Sequence, residues 1–305
     1  MDRVRVQAPA TVSNVVCGFD CLGFALSSPF DEIEMSKTDD PSIRIVNQDG
    51  FDLPIDPTRN VAGVALRAMM NAANVDFGIE IVSNKTIKPG SGIGSSAASA
   101  AGAVVALNAL IDTRFSASEV VAFAMAGEEL ASGTRHADNV APCIFGGFVL
   151  VRSVDPLDIV QLKYPPLWAT VIHPQIEIKT AEARSLLPLN TPLKNAVKQW
   201  SNLGAFVAAL SSGDYELMGR SMEDFIVEPV RSKLIPKFQE VKDECLKAGA
   251  IGGGISGSGP SMFMISETND TAVAIEKAMS EIYRTTGIPF NTYVSPVDPA
   301  GVRLA

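Results

Sequence analysis

Positive charge is scarce in this 305-residue chain, with 25 Lys and Arg against 34 Asp and Glu and a net charge of −9. That balance argues against nucleic acid or an anionic membrane as the main partner. It leaves room for a small anionic ligand, because local donors outweigh a global field. No apolar run reaches the about 20 residues of a membrane span without glycine or polar breaks. Cysteine is limited to 4 residues and histidine to 2. Cys17, Cys21, Cys143 and Cys245 form no CxxC pair and take no zinc spacing with the histidines. The opening stretch "MDRVRVQAPATVSNVV" has neither a long apolar core nor a cleavage pattern, so no signal peptide is expected. These absences point to a reduced, cytoplasmic protein.

The rest of the composition, 47% hydrophobic and 19% charged, suits a globular enzyme-sized chain. The length allows two modest domains or one large one. Alternating segments come first: "RVRVQAPA", "DEIEMSKT" from Asp31 and "SIRIVNQ" from Ser42 read as strands. "NVAGVALRAMMNAANV" from Asn60 has helical period, and "FGIEIVS" from Phe77 reads as a strand. A helix is expected from Ser116, where Ser116 and Glu119 make a capping box, to about Ala131. "SGTRHADNVAP" reads as a polar loop. "CIFGGFVLVRS" reads as a strand with a bulge at Gly146 and Gly147. Prolines in "VDPLDI" and "KYPPLW" suggest a domain boundary. Beyond it lie a strand at "WATVIHP", helices from about Ala181, Leu193, Lys237 and Asp270, a Gly-rich turn, a strand at "SMFMIS" and a last strand over 291–295. That mix indicates a second α+β layer.

The densest signal is "KPGSGIGSSAASAAGAVVALN", residues 88–108. Gly90, Gly92 and Gly94 alternate, Ser95 and Ser96 follow, and small apolar residues then run on every side of a helix. A buried helix start presents free N–H groups and a positive dipole end, which together bind anions. Glycine permits close backbone approach, and a serine there can also simply cap the helix. The stretch is neither a Walker A loop nor G-x-G-x-x-G. A phosphate-binding loop and a Gly-rich turn before a core helix both fit it.

Three further segments narrow the choice: "TVSNVVCGFDCLGFAL" at 11–26, "GTRHADNVAPCIFGGF" at 133–148 and "GGGISGSGPSMFMIS" at 252–266. With "SGIGSSAAS", in this order, they resemble the GHMP kinase superfamily and, within it, the homoserine kinase family. The likeness spans nearly the whole chain. It departs from the family pattern at Val16–Cys17, where Gly-Pro is expected, and at Pro89, one place from the usual position. The resemblance implies a two-domain α+β fold: an N-terminal nucleotide-binding α/β domain over 1–153 and a ferredoxin-like C-terminal domain over 154–305.

The same resemblance implies phosphorylation of the L-homoserine hydroxyl by ATP with Mg²⁺ as cofactor, and a homodimer. ATP would lie along Lys88, Pro89, Gly90, Ser91, Gly92, Ile93, Gly94, Ser95, Ser96, Ala97 and Ala98, with Asn60 and Val61 near the adenine. Ser96 and Glu128 would hold the metal; Glu129 is the competing carboxylate. Asn14 and Asp20 match the substrate loop, Asp20 taking the ammonium, although Asn and Asp also serve plain turns. Arg184 and Arg231 match carboxylate-binding arginines, whose forked guanidinium suits a carboxylate; Thr180 is one turn from Arg184. His136 and Asn139 would face the substrate, Asn139 orienting the hydroxyl at a position where several relatives carry an Asp. His173, beside Pro174, reads as structural, and the 254–260 loop is expected to pack near the phosphate loop.

Overall fold

The computed structural model describes residues 2–178 and 180–305. The side chains of residues 180–182 fall outside that description, and with them the expected contact of Thr180. The first half runs β1 (Arg3–Ser13), β2 (Leu22–Thr38), β3 (Ile43–Asn47), α1 (Val61–Ala73), β4 (Gly78–Asn84), α2 (Ser95–Leu110), α3 (Ala117–Ser132), α4 (Val140–Phe145), β5 (Phe148–Val154) and β6 (Leu157–Leu162). The second half runs β7 (Trp168–Pro174), α5 (Thr180–Ser185), α6 (Leu193–Ser212), α7 (Tyr215–Ser221), α8 (Glu228–Arg231), α9 (Phe238–Lys247), β8 (Gly252–Ile255), β9 (Met262–Ser266), α10 (Asn269–Arg284), β10 (Phe290–Pro296) and β11 (Arg303–Leu304).

The alternation over 3–7 and 31–35 leaves one face of the sheet covered, whereas 8–13 and 22–26 are buried on both faces, the second against the other sheet. Val4, Val6, Ile33 and Met35 point into a core shared with α1, α2 and α3. Strand order is β11-β1-β2-β4-β3, with the β5–β6 hairpin added beside β2. Every pairing is antiparallel except β3 with β4. The second sheet is antiparallel in the order β10-β7-β9-β8. Its face carries Ile172, Met262 and Met264 against Val241 of α9 and Ile275 and Met279 of α10. The α+β expectation is met in both halves.

Several local expectations are corrected. Of the prolines expected to mark a boundary, Pro156 lies in the turn of the β5–β6 hairpin within the first sheet, whereas those of "KYPPLW" lie where the chain changes sheet. The chain changes sheet between Leu162 and Trp168, and β11 then returns to pair with β1. "CIF" is helical, closing α4, because a short apolar run cannot be assigned by period alone. Gly146 and Gly147, with φ of 72° and 62°, turn the chain into β5 rather than bulging a strand. "GGGI" is not a turn but β8, a strand whose glycines sequence rules depress.

Candidate active site

The α2 helix is small-residue on every side because every side is covered, with Ala97, Ala98, Ala100, Ala101 and Ala103 fully buried. Its N-cap is Gly94 at φ 73°, not a serine, and no side chain caps it. The first N–H groups are therefore left without the usual oxygen cap. A Cβ at Gly94 would stand 2.0 Å from Thr11 Oγ1 and 3.2 Å from Asn139 Oδ1. At Gly92, φ 82°, it would meet the carbonyls of Gly259 and Ser256 at 2.6 and 2.8 Å. The C-terminal Gly-rich loop thus packs directly on the loop before α2. Ser256 Oγ donates to Gly92 O at 2.7 Å and Ser261 Oγ to Ser91 O at 2.6 Å.

A cavity of about 370 Å³ opens in front of this helix start. Its wall brings together Asn14, Asp20, Gly90, Ser96, Glu128, His136, Asn139, Arg184 and Arg231, drawn from both halves of the chain. Pro89, Ser91, Gly92, Gly94, Ser95 and Val61 complete the expected lining. Other expected residues stand back from it. Lys88 donates to Gln175 Oε1 at 2.6 Å. Ile93, Ala97 and Ala98 are buried beneath the loop. Asn60 caps α1, accepting from Ala62 N at 2.9 Å, and lines a smaller adjoining hollow of about 90 Å³ with Val61 and Leu53. The Ser95 hydroxyl donates to Ile87 O at 2.8 Å, so only its backbone N–H is left for an anion.

Glu128 is 3% exposed, and its Oε1 has no hydrogen-bond partner among the described residues. Burial pushes its carboxyl above the usual range, with the Ser96 hydroxyl opposing the shift. Glu129 instead faces solvent, with its carboxylate 3.8 Å from Arg135. A buried carboxylate with one oxygen free of partners among the described residues, beside a hydroxyl at a helix N-terminus, suits a hard cation. No group of three or more His, Cys, Asp or Glu side chains able to hold a metal occurs among the described residues. A cation on Ser96 and Glu128 would therefore draw its remaining oxygens from nucleotide and water, the usual habit of Mg²⁺.

Across the cavity, Asn139 is held in one orientation. Thr11 Oγ1 donates to its Oδ1 at 2.8 Å, and its Nδ2 donates to Ser13 Oγ at 2.9 Å. The neighbouring Asp138 is 2% exposed. His136 Nδ1 lies 3.1 Å from Asp138 Oδ1, close enough for an ion pair. The two atoms are nevertheless not aligned for a hydrogen bond, and neither has another partner among the described residues. Burial lowers the affinity of His136 for a proton, but Asp138, with Glu128 and Asp20, outweighs it and the net shift is upward.

The substrate-loop residues are fixed by their backbone. Asn14, Val15, Val16 and Asp20 take φ of 70°, 35°, 56° and 58°. Val16, at the place where the family pattern has glycine, is a β-branched residue in the left-handed region and is strained there. Asn14 Nδ2 donates to Gly257 O at 2.7 Å, and its Oδ1 accepts from Asp20 N at 2.9 Å. Asp20 receives both ends of the Arg184 guanidinium at 2.9 Å each. Arg231 is 2% exposed and donates to the carbonyls of Ala183 and Gly257 at 3.2 and 3.4 Å. Burial, then repulsion from Arg184, lowers its proton affinity. His173 lies outside the cavity, and burial, reinforced by Lys88, lowers it to about 4.

Sequence reasoning missed Lys85. It is buried, lines the cavity, pairs with fully buried Asp31 and donates to Ser95 O at 3.1 Å and Ser99 Oγ at 2.8 Å. Asp31 also accepts from Thr86 N and Ile87 N at 2.8 and 2.9 Å, so one carboxylate ties the entry of the phosphate loop to the start of α2. The only sequence signal was a lone lysine just past the end of a strand, which reads equally as a solvent-facing position.

The whole chain resembles known proteins. The GHMP kinases N terminal domain matches residues 60–147, and the GHMP kinases C terminal domain matches residues 186–285. A homoserine kinase of Chloroherpeton thalassium is 44% identical over 100% of both chains. A crystal structure of homoserine kinase from Cytophaga hutchinsonii superposes with a TM-score of 0.96 at 46% identity, covering 100% of this chain and 98% of that one. L. major mevalonate kinase, 19% identical with a TM-score of 0.74 over 97% and 96% of the two chains, shares the fold alone. With full-length identity at this level and the family's ordered motifs gathered around one cavity, the chain belongs to the homoserine kinase family of the GHMP kinases.

Proposed function

We propose that this chain transfers the γ-phosphoryl group of ATP to the side-chain hydroxyl of L-homoserine, giving O-phospho-L-homoserine on the route to threonine. The observation that carries this reading is the pairing of two chemistries in one cavity. An uncapped helix start with a buried carboxylate, one of its oxygens unpartnered among the described residues, faces one acid and two arginines that match an α-amino acid. A mevalonate-type alcohol has no ammonium and would leave Asp20 without a purpose. Residues 1–162 with β11 would form the nucleotide domain, in place of the expected 1–153, and the rest a second domain packed against it. The protein would work as a cytoplasmic homodimer.

In this reading the backbone N–H groups after Gly94 hold the triphosphate, and the hollow beside Asn60, Val61 and Leu53 receives the base. Ser96 and Glu128 hold Mg²⁺, which neutralises charge on the phosphates when bound. Asp20 takes the substrate ammonium, and Arg184 and Arg231 take its carboxylate, with Asn14, His136 and Thr180 alongside. Asn139, its amide fixed by Thr11 and Ser13, orients the hydroxyl for in-line attack. Phosphoryl transfer through a loose transition state needs positioning and charge stabilisation more than a base. The hydroxyl proton then passes to the transferred phosphate.

Two outcomes test these roles. Arg184→Leu and Arg231→Leu should each raise KM for homoserine about 10–100-fold, the span of one hydrogen-bonded charge, with little change for ATP. Together they should be less than additive, and homoserine lactone should compete poorly in steady-state assays. Equal competition by the lactone would remove the carboxylate clamp. In Asp138→Asn, single-turnover transfer should fall by less than the about 10²–10⁴-fold that a general base contributes. His136, deprived of the carboxylate that holds it up, should titrate at lower pH by NMR. A full base-sized loss with the acidic limb abolished would make Asp138 the base.

A further inference from the structure

Asp20 and Arg184 are assigned opposite halves of the substrate, yet here they bind each other. The contact is bidentate, at 2.9 Å on both oxygens, and both side chains are about a third exposed on the cavity wall, at 36% and 30%. Arg231 lies beside them, donates its hydrogen bonds to carbonyls and has no carboxylate partner among the described residues. The Phe19 ring sits against both guanidiniums, its centroid 5.5 Å from Arg184 Cζ and 5.2 Å from Arg231 Cζ. We propose that the Asp20–Arg184 pair is an internal stand-in for the substrate zwitterion, exchanged partner for partner on binding, so that the site selects ligands carrying both charges together. This rests on the amino-acid reading of the cavity and deepens it.

The selectivity follows from charge accounting. A zwitterion breaks one pair and makes three, since its ammonium meets Asp20 while its carboxylate meets Arg184 and Arg231. A ligand with the carboxylate alone also breaks the pair, but strands Asp20. A ligand with the ammonium alone strands Arg184 next to Arg231, where like charges repel. Each singly charged ligand is thus penalised twice, once for its missing contact and once for the partner it leaves behind. Removing one member of the internal pair removes the second penalty. A loss-of-charge variant should therefore gain affinity for the ligand that lacks the matching charge, which a plain binding-residue role does not predict.

The experiment is calorimetry on the full chain with L-homoserine, 2,4-dihydroxybutyrate, in which a hydroxyl replaces the ammonium, and 3-aminopropan-1-ol, which lacks the carboxylate. Wild type should bind homoserine well and both analogues poorly. Asp20→Asn should lose homoserine but bind 2,4-dihydroxybutyrate about five-fold more tightly than wild type does, the upper worth of a partly exposed ion pair. Arg184→Gln should do the same for 3-aminopropan-1-ol. Retained ATP affinity identifies a folded variant, and if one fails to fold the other decides. A folded variant whose matching analogue binds no better than to wild type overturns the exchange. Failure of wild type to bind homoserine at all instead overturns the functional reading, and the two results are separate.

Discussion

Glu128→Gln should lower kcat by about 10²–10³-fold, the usual cost of losing one electrostatic stabiliser of a transferring group. The residue is buried with one oxygen unpartnered, so the amide fits the space but brings no charge to a cation. Added Mg²⁺ should restore part of the rate, because the Ser96 hydroxyl and the phosphate oxygens remain. Burial raises the Glu128 carboxyl, so protons and metal compete for it as pH falls. In wild type the acidic limb of the rate should therefore move to lower pH as Mg²⁺ is raised, and in Glu128→Gln that metal-dependent movement should vanish. Glu129→Gln, on the solvent side of the same turn, should be near wild type. A large loss in Glu129→Gln with none in Glu128→Gln, measured at low Mg²⁺, would move the ligand by one residue.

Gly94→Val should all but abolish turnover. The position has φ 73°, where a β-branched residue costs roughly 1–2 kcal/mol or more. The larger effect is local. The new Cβ would land 2.0 Å from Thr11 Oγ1, inside the hydrogen bond that orients Asn139. The variant should thus lose ATP affinity through the displaced helix start and also lose the chemical step through a misdirected Asn139. Gly90→Ala is the control: φ is 74° there too, but nothing lies within 4 Å of the added Cβ. It should keep most of the ATP affinity. Calorimetry of both variants separates crowding from backbone strain, and equal ATP binding by Gly94→Val and wild type would contradict the account.

The buried start of α2 was legible because its signal is local. Three glycines, two serines and an all-apolar helix say where a buried helix begins. The capping box of Ser116 and Glu119 appears as the spacing predicts, with both reciprocal bonds formed. The charge pairs were not legible. Asp31 and Lys85 are 54 residues apart, and Asp20 and Arg184 are 164 apart, so only the folded chain brings them into contact. Lone charged residues in strands or short helices read as solvated faces until a partner is known. α4 and β8 failed for a different reason. "VAPCIF" has no period to read, and "GGGI" owes its strand to β9 alongside it, not to its own propensity.

The central claim is that the cavity phosphorylates an amino acid's hydroxyl. Its most direct test is purified protein with Mg·ATP and, in separate reactions, L-homoserine, mevalonate and shikimate, followed by phosphorus NMR of the products. The account predicts a new phosphomonoester on the homoserine oxygen, formed in step with ADP, and no acceptor phosphorylation in the other two reactions. A phosphomonoester on mevalonate or shikimate with none on homoserine would contradict it.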